Sequence, residues 1–160
     1  MYGSIGRRKD VPMILTVLVK LKDIVEQGRD FPWSRPDECP RCNGNRLWGH
    51  GFVGAIFDGI AELVLLRRFR CPECGCVLRL RPDGYFSRFQ ASVSTIRSRI
   101  DHRLRTGGWL GGMSRSRQGY WLRNLKRRVL ACKGLGWKYR LIEVFDLLVQ
   151  GGEIPVSRLT

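Results

Sequence analysis

Two short cysteine motifs have the spacing of metal ligands. Cys39-Pro40-Arg41-Cys42 and Cys71-Pro72-Glu73-Cys74 are separated by 28 residues, and glycines follow at Gly44 and Gly75. A C-x-x-C turn can aim two sulfurs at one ion, and zinc in structural sites is held tetrahedrally by four thiolates. The glycines permit the positive φ that frees backbone N–H groups to face the sulfurs. Two such turns predict a zinc ribbon whose ligands are Cys39, Cys42, Cys71 and Cys74.

The remaining cysteines and histidines are weaker candidates. Cys76 follows the second motif and is interpreted as a strand thiol, and His50 lies between the motifs as a predicted hairpin residue. Four cysteines already satisfy zinc, but the sequence leaves Cys76 and His50 open as alternative ligands. Cys132 continues an apolar helical stripe and is predicted to lie in the core, and His102 has no second ligand nearby.

The alternative to a metal site is a pair of disulfides, which is typical of secreted proteins. The apolar run over residues 13–19 is short, follows Asp10 and Pro12, and lacks a cleavage site of small residues after it. No stretch approaches the roughly 18 apolar residues of a membrane span. We therefore expect a soluble, cytoplasmic protein with reduced cysteines and no membrane partner.

The charge of the chain predicts a polyanionic partner. The sequence has 29 basic and 14 acidic residues and a formal net charge of +15. Residues 86–140 contain 14 basic residues and a single acid, Asp101. Such an excess repels itself unless a polyanion offsets it, and nucleic acid is the usual partner. The alternative is a helical bundle whose charged faces only keep it soluble.

Patterns of period two predict strands around the cysteine motifs. The predicted strands are residues 13–19, 46–53, 61–69 and 77–81. A short helix is predicted over residues 20–27, closed by Gly28. This order is typical of an antiparallel zinc ribbon: the first cysteine turn, a hairpin, the second cysteine turn and a further strand.

After Gly84 the apolar period becomes helical, and three amphipathic helices are predicted. The first has a stripe of Phe89, Val93, Ile96, Ile100 and Leu104. A glycine-rich loop, residues 107–113, precedes a second helix that Ser114 caps and that ends near Gly134. The third has a stripe of Trp137, Leu141, Val144, Phe145 and Leu148.

The second helix is the predicted nucleic-acid-binding element. Its apolar arc is Trp121, Leu122, Leu125, Val129 and Cys132. The opposite side carries Arg115, Arg123, Lys126, Arg127 and Lys133. In helix-turn-helix modules one helix enters the major groove, where arginine reads guanine, and asparagine and glutamine read adenine. The predicted DNA contacts are Arg115, Arg117, Gln118, Arg123, Asn124, Lys126 and Arg127.

No catalytic centre is predicted. A nuclease or transposase site needs carboxylates that converge on Mg²⁺. Glu143 and Asp146 are three residues apart on one predicted helix, which is typical of ordinary surface charges. The glycines of residues 107–112 lack the lysine of a phosphate-binding loop. We therefore expect a protein that is not an enzyme.

The cysteine motifs carry a family resemblance. Cys39-Pro-Arg-Cys42, then His50-Gly51, then Phe69-Arg70-Cys71-Pro-Glu-Cys74-Gly75 follow the pattern C-P-x-C, H-G, Y/F-R-C-x-x-C-G. This region resembles a bacterial zinc-ribbon family of unknown function and the N-terminal ribbons of insertion-sequence transposases. Residues 114–121 resemble the helix-turn-helix that follows in those proteins. The resemblance covers about residues 36–125 and implies DNA binding, as a remnant or accessory of a mobile element. Cys76 departs from it, because such ribbons usually carry Arg, Lys or Thr there.

Together these observations predict an α+β protein, with a small antiparallel zinc ribbon followed by a basic three-helix, helix-turn-helix-like module. The predicted divisions are a strand–helix extension (1–35), the ribbon (36–84), the helical module (85–152) and a frayed tail (153–160). The predicted function is a zinc-stabilised, transposase-related or regulatory DNA-binding protein. One alternative is an adaptor whose ribbon docks a nucleic-acid-processing protein. Another is an RNA-binding module that stacks bases on exposed Trp48, Trp109 or Tyr120.

Overall fold

The computed structural model describes residues 13–159. The first twelve residues of the predicted extension lie outside this range. The described chain is α+β, as predicted, and it forms two compact units with a boundary after Gln90. We call the first, ending at Gln90, the cysteine unit and the second, beginning at Ala91, the helical unit.

The cysteine unit contains a four-stranded mixed sheet and one short helix. Its elements are β1 (Met13–Val17), α1 (Leu21–Gln27), β2 (Trp48–Ala55), β3 (Val64–Arg70) and β4 (Val77–Pro82). The strand order is β1-β4-β3-β2. The pairs β2–β3 and β3–β4 are antiparallel, and the pair β1–β4 is parallel. β1, predicted as part of an extension, therefore belongs to the same sheet as the strands of the predicted ribbon.

The parallel pairing of β1 with β4 aligns the apolar residues of the two strands. Met13 and Leu15 lie opposite Leu78 and Leu80 of β4, so apolar side chains of both strands share one face. All four belong to one core cluster, completed by Val17 and Phe69. Without β1, Leu78 and Leu80 of β4 would lack an apolar neighbour on that side of the sheet. Pairing buries the apolar surface of β1 against them and is therefore favourable.

Both faces of the sheet are covered. One core cluster contains Leu47, Phe69, Leu78 and Leu80 together with buried cysteines. The other is built on Ile24 of α1, Phe57, Val64 and Leu66. β3 therefore contributes Leu66 to one core and Phe69 to the other, as the alternation of side chains along a strand requires.

The helical unit contains α2 (Val93–Thr106), α3 (Arg115–Lys133) and α4 (Leu141–Gln150). The hydroxyl oxygens of Ser92 and Ser114 accept the backbone N–H of Thr95 and Arg117 and so cap α2 and α3. The buried apolar residues of the three helices are Ile96, Ile100, Trp121, Leu122, Leu125, Val129, Leu141, Val144, Phe145 and Leu148.

Several predictions for the helices are wrong at their ends. Cys132, predicted to lie in the core, is exposed, and Leu104 is also exposed, because each lies in the last turn of its helix. Phe89 precedes α2, and Trp137 lies in a 3₁₀ turn before α4. The predicted frayed tail is packed: Val156 is fully buried.

Candidate metal centre and basic helical face

The two cysteine motifs fold into equivalent turns. The N–H of Cys39 donates to the carbonyl of Gly44, and the N–H of Cys71 donates to the carbonyl of Cys76, both at 2.9 Å. The carbonyls of Cys39 and Cys71 accept the N–H groups four residues further on, at 2.8 and 2.9 Å. Cys39 therefore corresponds to Cys71, and Gly44 corresponds to Cys76.

The positive φ of the first turn is at Asn43 and not at Gly44, where we predicted it. Asn43 has φ 60° and the equivalent Gly75 has φ 72°. Asparagine is among the few residues other than glycine that adopt this conformation readily. Gly44 has a different role, because a Cβ at this buried position would meet the carboxylate of Glu73 in the second turn.

The turns bring the four predicted sulfurs together. The distance from Cys39 Sγ to Cys74 Sγ is 3.7 Å, and from Cys42 Sγ to Cys71 Sγ it is 3.5 Å. All four sulfurs lie within 4.8 Å of one another. Four sulfurs in a tetrahedron about 2.3 Å from a central ion would be about 3.8 Å apart. The donor set therefore fits one metal ion, and all six cysteines of the chain are free thiols.

The electrostatics of the site also favour a cation. Burial opposes ionisation of the Cys39 thiol, but backbone N–H groups of Arg41 and Cys42 lower its pKa to about 7. For Cys42, the N–H of Gly44 favours ionisation, but its contact with Cys71 and its burial raise the pKa to about 12. The four thiolates repel one another, and a bound cation removes that repulsion.

Neither of the two open alternatives belongs to this group. Within residues 13–159, the side chains close enough to share an ion with these turns are the four predicted cysteines. Cys76 is 2% exposed, its thiol lies 3.8 Å from the carbonyl of Val77, and burial raises its pKa. His50 is half-buried on β2. Cys76 thus packs in the core immediately before β4.

A basic face runs along α3, interrupted by the exposed Leu130. It is formed by five exposed side chains: Arg115, Arg123, Lys126, Arg127 and Lys133. Their positions fall within about one third of the helix circumference, and the row is about 27 Å long. The opposite side of α3 is buried through Trp121, Leu125 and Val129. Four of these five residues were predicted DNA contacts.

Two predicted base-reading residues lie inside the helical unit, which corrects their proposed role. Gln118 is 1% exposed, and its amide donates to the carbonyls of Leu110 and Met113 at 2.8 and 3.1 Å. Asn124 is 4% exposed, and its amide donates to the carbonyl of Val156 at 3.0 Å. These amides hold backbone segments against α3 and are turned away from solvent. Their side chains therefore cannot contact bases in this conformation.

Arg117 also lies off the basic face. It is half-buried, with its guanidinium carbon 5.2 Å from the centre of the Trp121 ring. This position beside a buried indole indicates a packing role. Of the seven predicted contacts, the structure places Arg115, Arg123, Lys126 and Arg127 together on one exposed surface and separates the other three from it.

Every acid of the helical unit has an arginine partner. Asp101 pairs with Arg105, Asp146 with Arg97, Glu153 with Arg128 and Glu143 with Arg140. Asp146 accepts two hydrogen bonds of 2.7 Å from Arg97, which lower its pKa. None of these four ion pairs therefore involves a residue of the basic face of α3.

Sequence reasoning missed the contacts that order the glycine-rich loop before α3. Arg99 donates to the carbonyls of Leu110 and Gly111 at 3.1 and 3.0 Å. Arg103 lies 4.3 Å from the centre of the Trp109 ring, which is half-buried. Tyr120 is half-buried too, whereas Trp48 is 61% exposed. Of the three aromatic residues predicted as stacking platforms, Trp48 is therefore the accessible one.

Comparisons with known proteins add no assignment. No family model matches the chain, and neither the curated proteins nor the solved structures contain a match. Within residues 13–159, no helix combines the length and apolar character needed to cross a membrane.

Proposed function

We propose that this protein is a zinc-stabilised DNA-binding protein. The metal would be held by Cys39, Cys42, Cys71 and Cys74, and the DNA by the exposed basic face of α3. The observation that carries the proposal is this face, a row of five cations in a unit whose acids are each paired with an arginine. Unbalanced positive charge on one surface is the electrostatic footprint of a nucleic-acid partner.

Zinc is the metal we propose because of the donor set. Tetrahedral sites of four sulfurs hold zinc or iron–sulfur centres, and structural Cys₄ sites are typical of zinc. Two of the four ligands, Cys39 and Cys71, are fully buried in the core of the cysteine unit. The role of the ion is therefore structural, since folding and metal binding are coupled in small domains of this kind.

The DNA contact we propose is mainly with phosphates. A helix fits the major groove, which is about 12 Å wide, and its basic side chains can reach the phosphates on either side. The segments joining α2 to α3 and α3 to α4 span residues 107–114 and 134–140, longer than the turn of three or four residues in a standard helix-turn-helix. We therefore rest the proposal on the basic face. The resemblance of the cysteine motifs to transposase ribbons adds the proposal that the protein serves a mobile element.

The test is a titration of the purified, zinc-loaded protein with labelled duplex DNA at several salt concentrations. Log K should fall with log salt with a slope of about −0.9 for each neutralised phosphate. Five contacts give a slope of about −4.5, so doubling the salt should weaken binding roughly 20-fold. Lys126→Gln should reduce the slope by about one unit and weaken all sequences alike.

Lys22→Gln is the matched control. Lys22 is equally a surface lysine, 83% exposed on α1 in the cysteine unit, so its removal should leave the slope unchanged. If binding is absent at low salt, or is indifferent to salt, the DNA proposal is wrong and the adaptor becomes the better explanation. Tighter binding of single-stranded RNA than of either single-stranded or duplex DNA would instead favour the RNA-binding alternative.

A further inference from the structure

Trp48 is an exposed indole at the edge of the cysteine unit. It is the first residue of β2, the outermost strand of the sheet, and it is 61% exposed. Trp121, by comparison, is 2% exposed, and Trp33 packs against both core clusters. A large apolar ring left in water on a sheet edge is unusual, because tryptophan is highly buried on average. Its exposure leaves the ring accessible to a ligand.

The backbone that carries Trp48 is held firmly. Leu47 is fully buried in the core cluster beside the cysteines, and its carbonyl accepts a hydrogen bond of 3.3 Å from the guanidinium of Arg35. On the other side, Gly49 pairs with buried Phe69 of β3. The backbone beneath the indole is thus already ordered, so binding has to order only the side chain.

Arginines lie on both sides of the indole. A cleft of about 570 Å³ beside Trp48 is lined by Arg35 and Arg46, with one carboxylate, Asp37. A second cleft, of about 390 Å³, is lined by Trp48 and Arg70. Arg70 lies directly opposite Trp48 across the β2–β3 pair, where side chains are close neighbours. Three cations against one acid flank the ring, so the surface favours an anionic ligand.

A flat aromatic ring between cations matches the chemistry of an unpaired nucleotide. Single-stranded nucleic acid is bound by stacking bases on aromatic side chains while basic residues follow the phosphates. In a duplex the faces of the bases are covered by their neighbours, so a stacking platform selects unpaired ones. We propose that Trp48, with Arg46 and Arg70, is a single-stranded DNA site on the cysteine unit. This rests on the proposed function, since it extends it to a second DNA contact.

The test compares Trp48→Ala and Trp48→Phe with the unmodified, zinc-loaded protein, using a single-stranded oligonucleotide and a blunt duplex. Loss of one stacked base should weaken single-strand binding by about 5- to 150-fold in Trp48→Ala and leave duplex binding unchanged. Trp48→Phe keeps a stacking ring and should retain most of the affinity. Binding of the single strand should quench tryptophan fluorescence less in Trp48→Phe. This variant lacks the indole that stacks on the base and keeps the other four of the five tryptophans.

The outcomes separate this inference from the proposed function. Equal single-strand affinity in Trp48→Ala and the unmodified protein overturns the stacking site, even if the duplex is bound as proposed. Affinity lost equally in Trp48→Phe and Trp48→Ala also overturns it. Failure to bind either form of DNA overturns both proposals, and the exposed indole is then better explained as the anchor of a protein interface. Metal content of each variant, measured alongside, confirms that the cysteine unit is folded.

Discussion

Replacing Cys71 with serine should remove the metal and unfold the cysteine unit. Structural zinc contributes an apparent binding free energy of about 10–16 kcal/mol at neutral pH. The net stability of a whole domain is only about 5–15 kcal/mol. Cys71 is fully buried and its sulfur lies 3.5 Å from that of Cys42, so the substitution removes one of the four clustered sulfurs.

The apolar residues on the same face of the sheet give the scale of this loss. The core cluster that contains the cysteine ligands has four large apolar side chains that are buried, Leu47, Phe69, Leu78 and Leu80. Burying such side chains stabilises by about 1.5–3 kcal/mol each, or roughly 6–12 kcal/mol for the four. A zinc ion bound by these sulfurs would therefore contribute about as much as the apolar residues on the same face of the sheet.

Cys76→Ser is the matched control. Cys76 is buried in the same cluster as Cys71 but stands outside the four-sulfur group. Serine there should cost about 1–3 kcal/mol, the price of a poorly bonded buried hydroxyl, and should leave one metal ion per chain. Metal content by elemental mass spectrometry and thermal unfolding with and without a chelator measure both effects.

The ligand assignment is tested by comparing which cysteine variants keep the ion. If Cys76→Ser loses the ion while Cys74→Ser or Cys71→Ser keeps it, the ligand assignment is wrong. If the unmodified protein carries no metal and a chelator leaves its melting temperature unchanged, the sulfur cluster has no structural ion.

Two further predictions concern the helical unit. Leu125→Ala should lower the free energy of unfolding by about 2–5 kcal/mol because Leu125 is fully buried, whereas Leu130→Ala, at a site 52% exposed, should cost far less; equal losses in denaturant unfolding would contradict the packing of α3. Hydrogen bonds from Arg97 lower the pKa of Asp146, so this pair stabilises the unit above the unfolded carboxyl pKa of about 3.9, and the stability is lost as pH falls through the lower folded value. Asp146→Asn should therefore reduce the loss of stability below about pH 4, and an unchanged acid profile would show that the pair adds nothing.

Local chemistry explains what the sequence predicted well. The four sulfurs meet because each pair is set by a single turn, and the strands on either side follow from alternation that needs no distant partner. Ser114 caps α3 where a helix start was predicted, for the same reason. The exposed basic residues of α3 also follow from helical period alone.

The errors concern contacts between distant segments. Gln118 and Asn124 have polar side chains, so the helical period of the apolar residues did not predict their burial. The loop before α3 covers Gln118, and the segment around Val156 covers Asn124. The positive φ lies at the residue directly after the second cysteine of each turn, which is Asn43 in the first turn and Gly75 in the second. The parallel pairing of β1 joins residues about sixty positions apart, which no local pattern specifies.

That pairing has a consequence for synthesis of the chain. β1 leaves the ribosome before its only described neighbour in the sheet, β4, from which residues 18–76 separate it. At about 5–20 residues per second, this interval lasts roughly 3–12 s. During it the apolar edge Met13–Val17 is unpaired, and such an edge is prone to association with other chains. β1 can therefore pair only after the second cysteine motif, which precedes β4, has been translated.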